Sequence, residues 1–156
     1  MGFLEVLGKK LKSLSPASVQ KKRNSDLYAL ALALAVVVLR IIKKQSGVRL
    51  SEEPLVQMKI ITQFRHRMRI DAMEKFNQPT VFSTIHFFRN KKRQTQNVPD
   101  GVLCVYVKRQ YLPELMRLLK YPYIDNDIED EVLDGCGTLA NLIAGHFRNE
   151  LFSLGY

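Results

Sequence analysis

The longest apolar run in the chain is Leu27–Ile42, interrupted only by Arg40. As a helix rising about 1.5 Å per residue it spans roughly 24 Å, less than the roughly 30 Å of a bilayer's hydrocarbon core. The pattern predicts a helix buried in a core or an interface. A membrane anchor assisted by snorkelling lysines is the alternative. Gly47, just after Lys43 and Lys44, supplies the expected stop. Further upstream, Phe3, Leu4, Leu7, Leu11 and Leu14 recur at helical spacing beside Lys9, Lys10 and Lys12, and Ser15-Pro16 ends the pattern. That segment reads as a solvated arm or, alternatively, as an amphipathic helix on anionic lipid.

A different period follows. Met58, Ile60, Thr62, Phe64, His66, Met68 and Ile70 alternate with a nearly polar row that includes Arg65, Arg67 and Arg69. Period two predicts one long strand over this region, straight or bent, with the arginines as solvated charges guarding a sheet face. Thr80–Phe88 and Gly101–Lys108 are rich in β-branched and aromatic residues and predict an antiparallel hairpin. The polar Arg89–Asp100 stretch between them reads as a long, mobile tip. Leu112–Tyr121 predicts a helix with Pro113 in its first turn and Pro122 beyond its end.

The last element carries the most information. After the acidic stretch Asp125–Glu131, a helix is expected to begin near Asp127, with Asn126 and Glu129 as a capping box. Leu139, Ala140, Ile143, Ala144, Phe147 and Leu151 fall on one side of it. Asp134, Thr138, Asn141, Gly145 and Arg148 fall on the other. Gly135 and Gly137 each cost such a helix about 1 kcal/mol relative to Ala, so close packing or a kink is expected there. The class is α/β, more narrowly α+β: a hairpin-containing sheet and two packed C-terminal helices, preceded by a hydrophobic helix.

Asp134, Gly137, Leu139, Asn141, Ile143 and Gly145 coincide with a pattern that reads roughly Asp-x-x-Gly-Glu-Leu-x-Asn-x-Ile-x-Gly. This stretch resembles the signature helix of the CheC/CheX/FliY chemotaxis phosphatases, and CheX-like domains most closely. Charge and periodicity, outside the resemblance, make residues 1–50 a basic N-terminal arm and hydrophobic helix. A CheX-like domain would cover 51–156 and be incomplete at its C-terminus, because relatives continue with further strands. The resemblance implies a phosphorylated response regulator as partner and its aspartyl phosphate as substrate. Mg²⁺ would be carried by that partner, with no cofactor of the chain's own. Asn141 takes the position of the water-orienting amide. Thr138 stands where the family has its catalytic Glu, and Asp134, one turn earlier, is a weak substitute. Gly145 and Arg148 would contact the partner. A homodimer is a further implied state. The alternative function is a non-catalytic assembly module, associated with the membrane through residues 1–42.

Composition narrows the choice. Hydrophobic residues make up 46% and charged residues 25%, which are globular values. The net charge of +9 is concentrated at the front, since residues 1–50 hold ten Lys/Arg against two acids. Residues 101–156 hold eight acids against five Lys/Arg. A basic front half suits anionic lipid or nucleic acid, whereas the candidate helix lies in the acidic part, which argues against nucleic acid there. Cys104 and Cys136 are too few for a disulfide framework and indicate a reducing, cytoplasmic setting, free or at the inner face of the membrane. Asp125, Asp127 and Glu129 imitate the opening of a calcium loop, but Asp130 and Cys136 occupy the positions where that loop needs Gly and Glu. His66, His86 and His146 stand apart, and no phosphate-binding glycine loop or nucleophile elbow occurs.

Overall fold

In the computed structural model the apolar run forms the C-terminal half of α1 (Pro16–Ser46), a helix of 31 residues. The structure describes residues 16–47, 52, 54–57, 61–64, 67–70 and 78–156, with side chains at 26–47, 52, 54–57 and 78–156. Gly47 follows α1 with φ +70°, a left-handed conformation that costs glycine little, and so stops the helix where the sequence indicates. Residues 1–15 lie outside the described residues.

The alternating stretch is not one strand. It contains β1 (Ile61–Phe64) and β2 (Arg67–Ile70), paired antiparallel with Ile61 opposite Ile70 and Phe64 opposite Arg67. Period two is the same along both arms of a hairpin, so alternation alone cannot reveal where the chain reverses. The facing expected for the arginine row falls outside the described side chains.

β3 (Thr80–Phe87) and β4 (Gly101–Lys108) pair antiparallel over their full length, from Thr80 opposite Lys108 to Phe87 opposite Gly101. The expected mobile tip instead contains a short helix, α2 (Lys91–Thr95). The Asn90 side chain caps it by accepting from the Arg93 backbone N–H at 3.0 Å. An Asp100 carboxylate oxygen accepts from the Arg89 backbone N–H at 2.8 Å and from Arg93 Nε at 2.9 Å, tying the two ends of the connection together.

A 3₁₀ turn at Arg109–Tyr111 leads into α3 (Leu112–Leu118). Lys120 (φ 62°) then takes the left-handed position of a Schellman ending, in which Tyr121 N–H donates to Met116 O and Lys120 N–H to Arg117 O. The final helix, α4 (Glu129–Ser153), has Ile128 at its N-cap, without a side-chain cap. The expected Asn126–Glu129 capping box does not form. Glu131 reaches back to the Asp125 backbone N–H at 2.7 Å, and Glu129 pairs with Arg109. The Arg109 guanidinium also donates to the Asn126 carbonyl oxygen, at 3.1 and 2.8 Å. The arginine at the end of β4 therefore fixes the turn that launches α4.

The result is an α+β fold in which α4 is the central element. One side of α4 packs on the inner face of the β3–β4 sheet, where Phe147 meets Phe87 edge to face with ring centroids 6.0 Å apart. It also contacts α1 and α3. Val37 and Ile41 of α1 share one core with Leu112, Met116, Val132, Cys136, Leu139 and Ile143. Arg40 and Glu150 add an ion pair of 2.6 Å across the α1–α4 junction. On the other face of the sheet, Phe82 is exposed and stacks on Tyr106 at 5.8 Å. Burial and the neighbouring Cys104 thiol push the Tyr106 hydroxyl up to about 12.

Candidate functional site

The candidate residues sit on α4 because its other side is committed to the core. Leu139, Ala140, Ile143, Ala144 and Phe147 are all buried, as the helical stripe requires. Their register leaves Asp134, Asn141, Gly145 and Arg148 exposed and Thr138 half-buried on the far side. At about 1.5 Å per residue, Asp134 and Arg148 mark the ends of a strip roughly 21 Å long, with Asn141 at its middle. Among the described residues, the Asn141 amide has no hydrogen-bond partner, and the residue is exposed.

The glycines differ in what they do. At Gly135 a Cβ would collide with Ile124 Cδ1, and Leu112 Cδ2 lies 3.5 Å away. This is close packing inside the fold, one of the two outcomes the sequence allowed. At Gly137 and Gly145 a Cβ would meet nothing within 4 Å. These two glycines are the i−4 and i+4 neighbours of Asn141 and lie beside it on the helix surface. No packing inside the described fold requires them, although each costs the helix about 1 kcal/mol. Their effect is on the outer surface, where bare backbone flanks a protruding amide.

Bare glycine backbone beside the amide allows another chain to approach α4 closely. The amide presents an N–H donor and a C=O acceptor without a formal charge. Thr138, three residues before Asn141, offers a hydroxyl and no charge. Asp134 places a carboxylate one turn earlier, and Arg148 a guanidinium two turns beyond Asn141. Phe152 lies farther along the same face and is 71% exposed. The sequence pattern did not single it out, because it falls outside the dozen-residue signature. The signal available was its helical register with Asp134, Thr138 and Gly145.

Cys136 is buried at 1% exposure, and burial pushes its thiol up, so it packs as a small apolar side chain. The acids before α4 are engaged locally, with Asp125 accepting from the Asp127 backbone N–H at 2.9 Å. Among the described residues, no group of three His, Cys, Asp or Glu side chains is placed to hold a metal ion. No described helix is long and apolar enough to cross a membrane. No family model, curated protein or solved structure matches this chain.

Proposed function

We propose that this chain is a CheX-like domain that docks a phosphorylated response regulator on the Asn141 face of α4 and hydrolyses its aspartyl phosphate weakly. The observation that carries the reading is the uncommitted Asn141 amide between two glycines whose Cβ positions open on solvent. A hydrolase for an acyl phosphate needs little covalent machinery. Water attacks the phosphorus, the bond to the acyl oxygen breaks, and the aspartate leaves as a carboxylate. The helper must place that water in line and leave the developing charge undisturbed. A neutral amide suits this task, since it orients water by donating and accepting without repelling the phosphoryl oxygens.

Gly137 and Gly145 would let the regulator's backbone settle against α4, bringing Asn141 to the phosphoryl group. Phe152 would supply an apolar anchor at one end and Arg148 a polar contact beside it. Mg²⁺ would belong to the regulator. Thr138 lacks the charge with which the family's Glu engages a basic residue on the regulator, and this is the reason for expecting weak turnover. The same residue favours, as second reading, a module that binds the regulator without hydrolysing it.

The test is to titrate this chain against a cognate regulator with and without its phosphoryl group, and to follow loss of the phosphoryl group over time. Tighter binding of the phosphorylated form, weakened by Gly145→Val on the exposed face, supports docking. Faster phosphate loss that disappears in Asn141→Ala supports hydrolysis. Equal affinity for both forms rejects the proposal.

A further inference from the structure

The outer side of α1 is apolar from Tyr28 to Leu39. Val37 and Ile41 face the core at 1% and 4% exposure. On the opposite side, Tyr28, Leu32 and Val36 follow one another at i, i+4 and i+8 and are 46%, 42% and 49% exposed. Leu39 lies between Leu32 and Tyr28 in angle, and Lys43 continues the line one turn beyond it. Lys44, also exposed, flanks that end, whereas Arg40 is held by Glu150 of α4. The whole helix carries six Lys/Arg and one acid, Asp26.

We propose that α1 lies in the plane of an anionic membrane surface. Tyr28, Leu32, Val36 and Leu39 enter the boundary between headgroups and acyl chains, and Lys43 and Lys44 engage lipid phosphates. An apolar stripe that runs into lysines is the arrangement such a surface selects, because burial and charge act at the same depth. Crossing is not required, and no described helix is long and apolar enough for it. Charge decides between lipid and a second copy of the chain. Parallel pairing of two stripes sets Lys43 against Lys43. Antiparallel pairing brings Lys43 and Lys44 close to the basic run Lys21-Lys22-Arg23 of the other copy. Either gathers like charges, whereas an anionic surface neutralises them. This inference is independent of the Asn141 face, which belongs to a different helix.

The experiment is co-sedimentation of the full chain with phosphatidylcholine vesicles, with and without phosphatidylglycerol. The chain should pellet with the anionic vesicles, less so at high salt, and remain in solution with the neutral ones. Lys43→Gln with Lys44→Gln should lower the partition coefficient by about tenfold or more. Leu32→Ser with Val36→Ser should lower it at least as much, thermal melts confirming that each variant folds. Failure to pellet, or equal pelleting on both vesicle types, overturns the proposal. So does binding unchanged in both variant pairs, which would place the contact elsewhere in the chain. A dimer in sedimentation velocity that Leu32→Ser with Val36→Ser dissociates would overturn it in favour of a second copy.

Discussion

The Ile124 side chain fills the space that a Cβ on Gly135 would need. Ile124 is itself buried, so it has little room to turn aside. Gly135 therefore belongs to the core, whereas Gly137 and Gly145 belong to the surface. The three should respond to alanine with opposite signs. Gly135→Ala should destabilise the fold, since overpacking costs about 1–3 kcal/mol and the better helix former returns only about 1. Gly137→Ala and Gly145→Ala should each stabilise it by up to about 1 kcal/mol. Urea melts of the three variants test this. A destabilising Gly145→Ala would show that its bare backbone is used inside the fold, and the docking reading of this face would lose its basis.

Lys120 holds a left-handed conformation at the end of α3, with φ 62°. A residue with a Cβ is strained there by roughly 1–2 kcal/mol, and glycine is not. Its exposed side chain makes no hydrogen bond or ion pair with any described residue. Lys120→Gly should raise stability, less the extra backbone entropy that glycine gains in the unfolded chain, for a net gain of about 1 kcal/mol or less. A lower urea midpoint in this variant would mean that the lysine stem contributes packing that outweighs the strain.

The connection between β3 and β4 should loosen in acid. The Arg89 backbone N–H, foremost, holds the Asp100 carboxyl below the usual carboxylate range against the opposing effect of desolvation, and the Arg93 guanidinium adds to the lowering. A depressed folded-state value means that the anchoring is fully present above the unfolded value of about 3.9 and is lost as pH falls through the lower folded value. An NMR titration should find the Asp100 midpoint below that of an unstructured aspartate. Asp100→Ala should speed amide exchange at Arg89 near neutral pH. A midpoint at or above the ordinary value would mean that the clamp does not persist in solution.

The parts of this fold that the sequence revealed are those governed by strict periodicity. The stripe from Leu139 to Phe147 fixed which side of α4 is buried, and hence that Asn141 is exposed. The β3–β4 pairing followed from two β-rich runs of matched length. Less legible were features set by single contacts between distant residues. Arg109 selects the start of α4 by holding the Asn126 carbonyl and Glu129, seventeen and twenty residues away, and no local capping pattern records that. Asp100 similarly organises a connection that reads as loop from its polarity alone. The reversal between Phe64 and Arg67 has no Gly, Pro, Asn or Asp to announce it. At Gly135 and Gly137 the same residue type two positions apart has different causes, which become visible only once Ile124 is in place.

The most decisive pair of substitutions is at Thr138 and Asn141. Asn141 is exposed and has no hydrogen-bond partner among the described residues, so Asn141→Ala should leave the melting transition almost unchanged. It should also remove whatever acceleration of aspartyl-phosphate loss the chain provides. In the proposed CheX-like reading Thr138 stands where the family has its Glu, and Glu is a better helix former than Thr, so Thr138→Glu should not harm α4. If docking geometry is retained, the new carboxylate should reach the regulator's basic residue. A charge-assisted contact is worth roughly 1.5–3 kcal/mol, about ten- to hundredfold in affinity. Only the part of it realised in the transition state accelerates hydrolysis. The expected outcome is tighter binding of the phosphorylated regulator, with a smaller gain in the rate of phosphate loss. Adding Asn141→Ala to Thr138→Glu separates the two effects, because it should abolish the rate gain and leave most of the binding gain. A Thr138→Glu chain that binds tightly but hydrolyses no faster would establish a binding module. An Asn141→Ala chain that unfolds would show that the amide is structural, and the function assigned to this face would have to be abandoned.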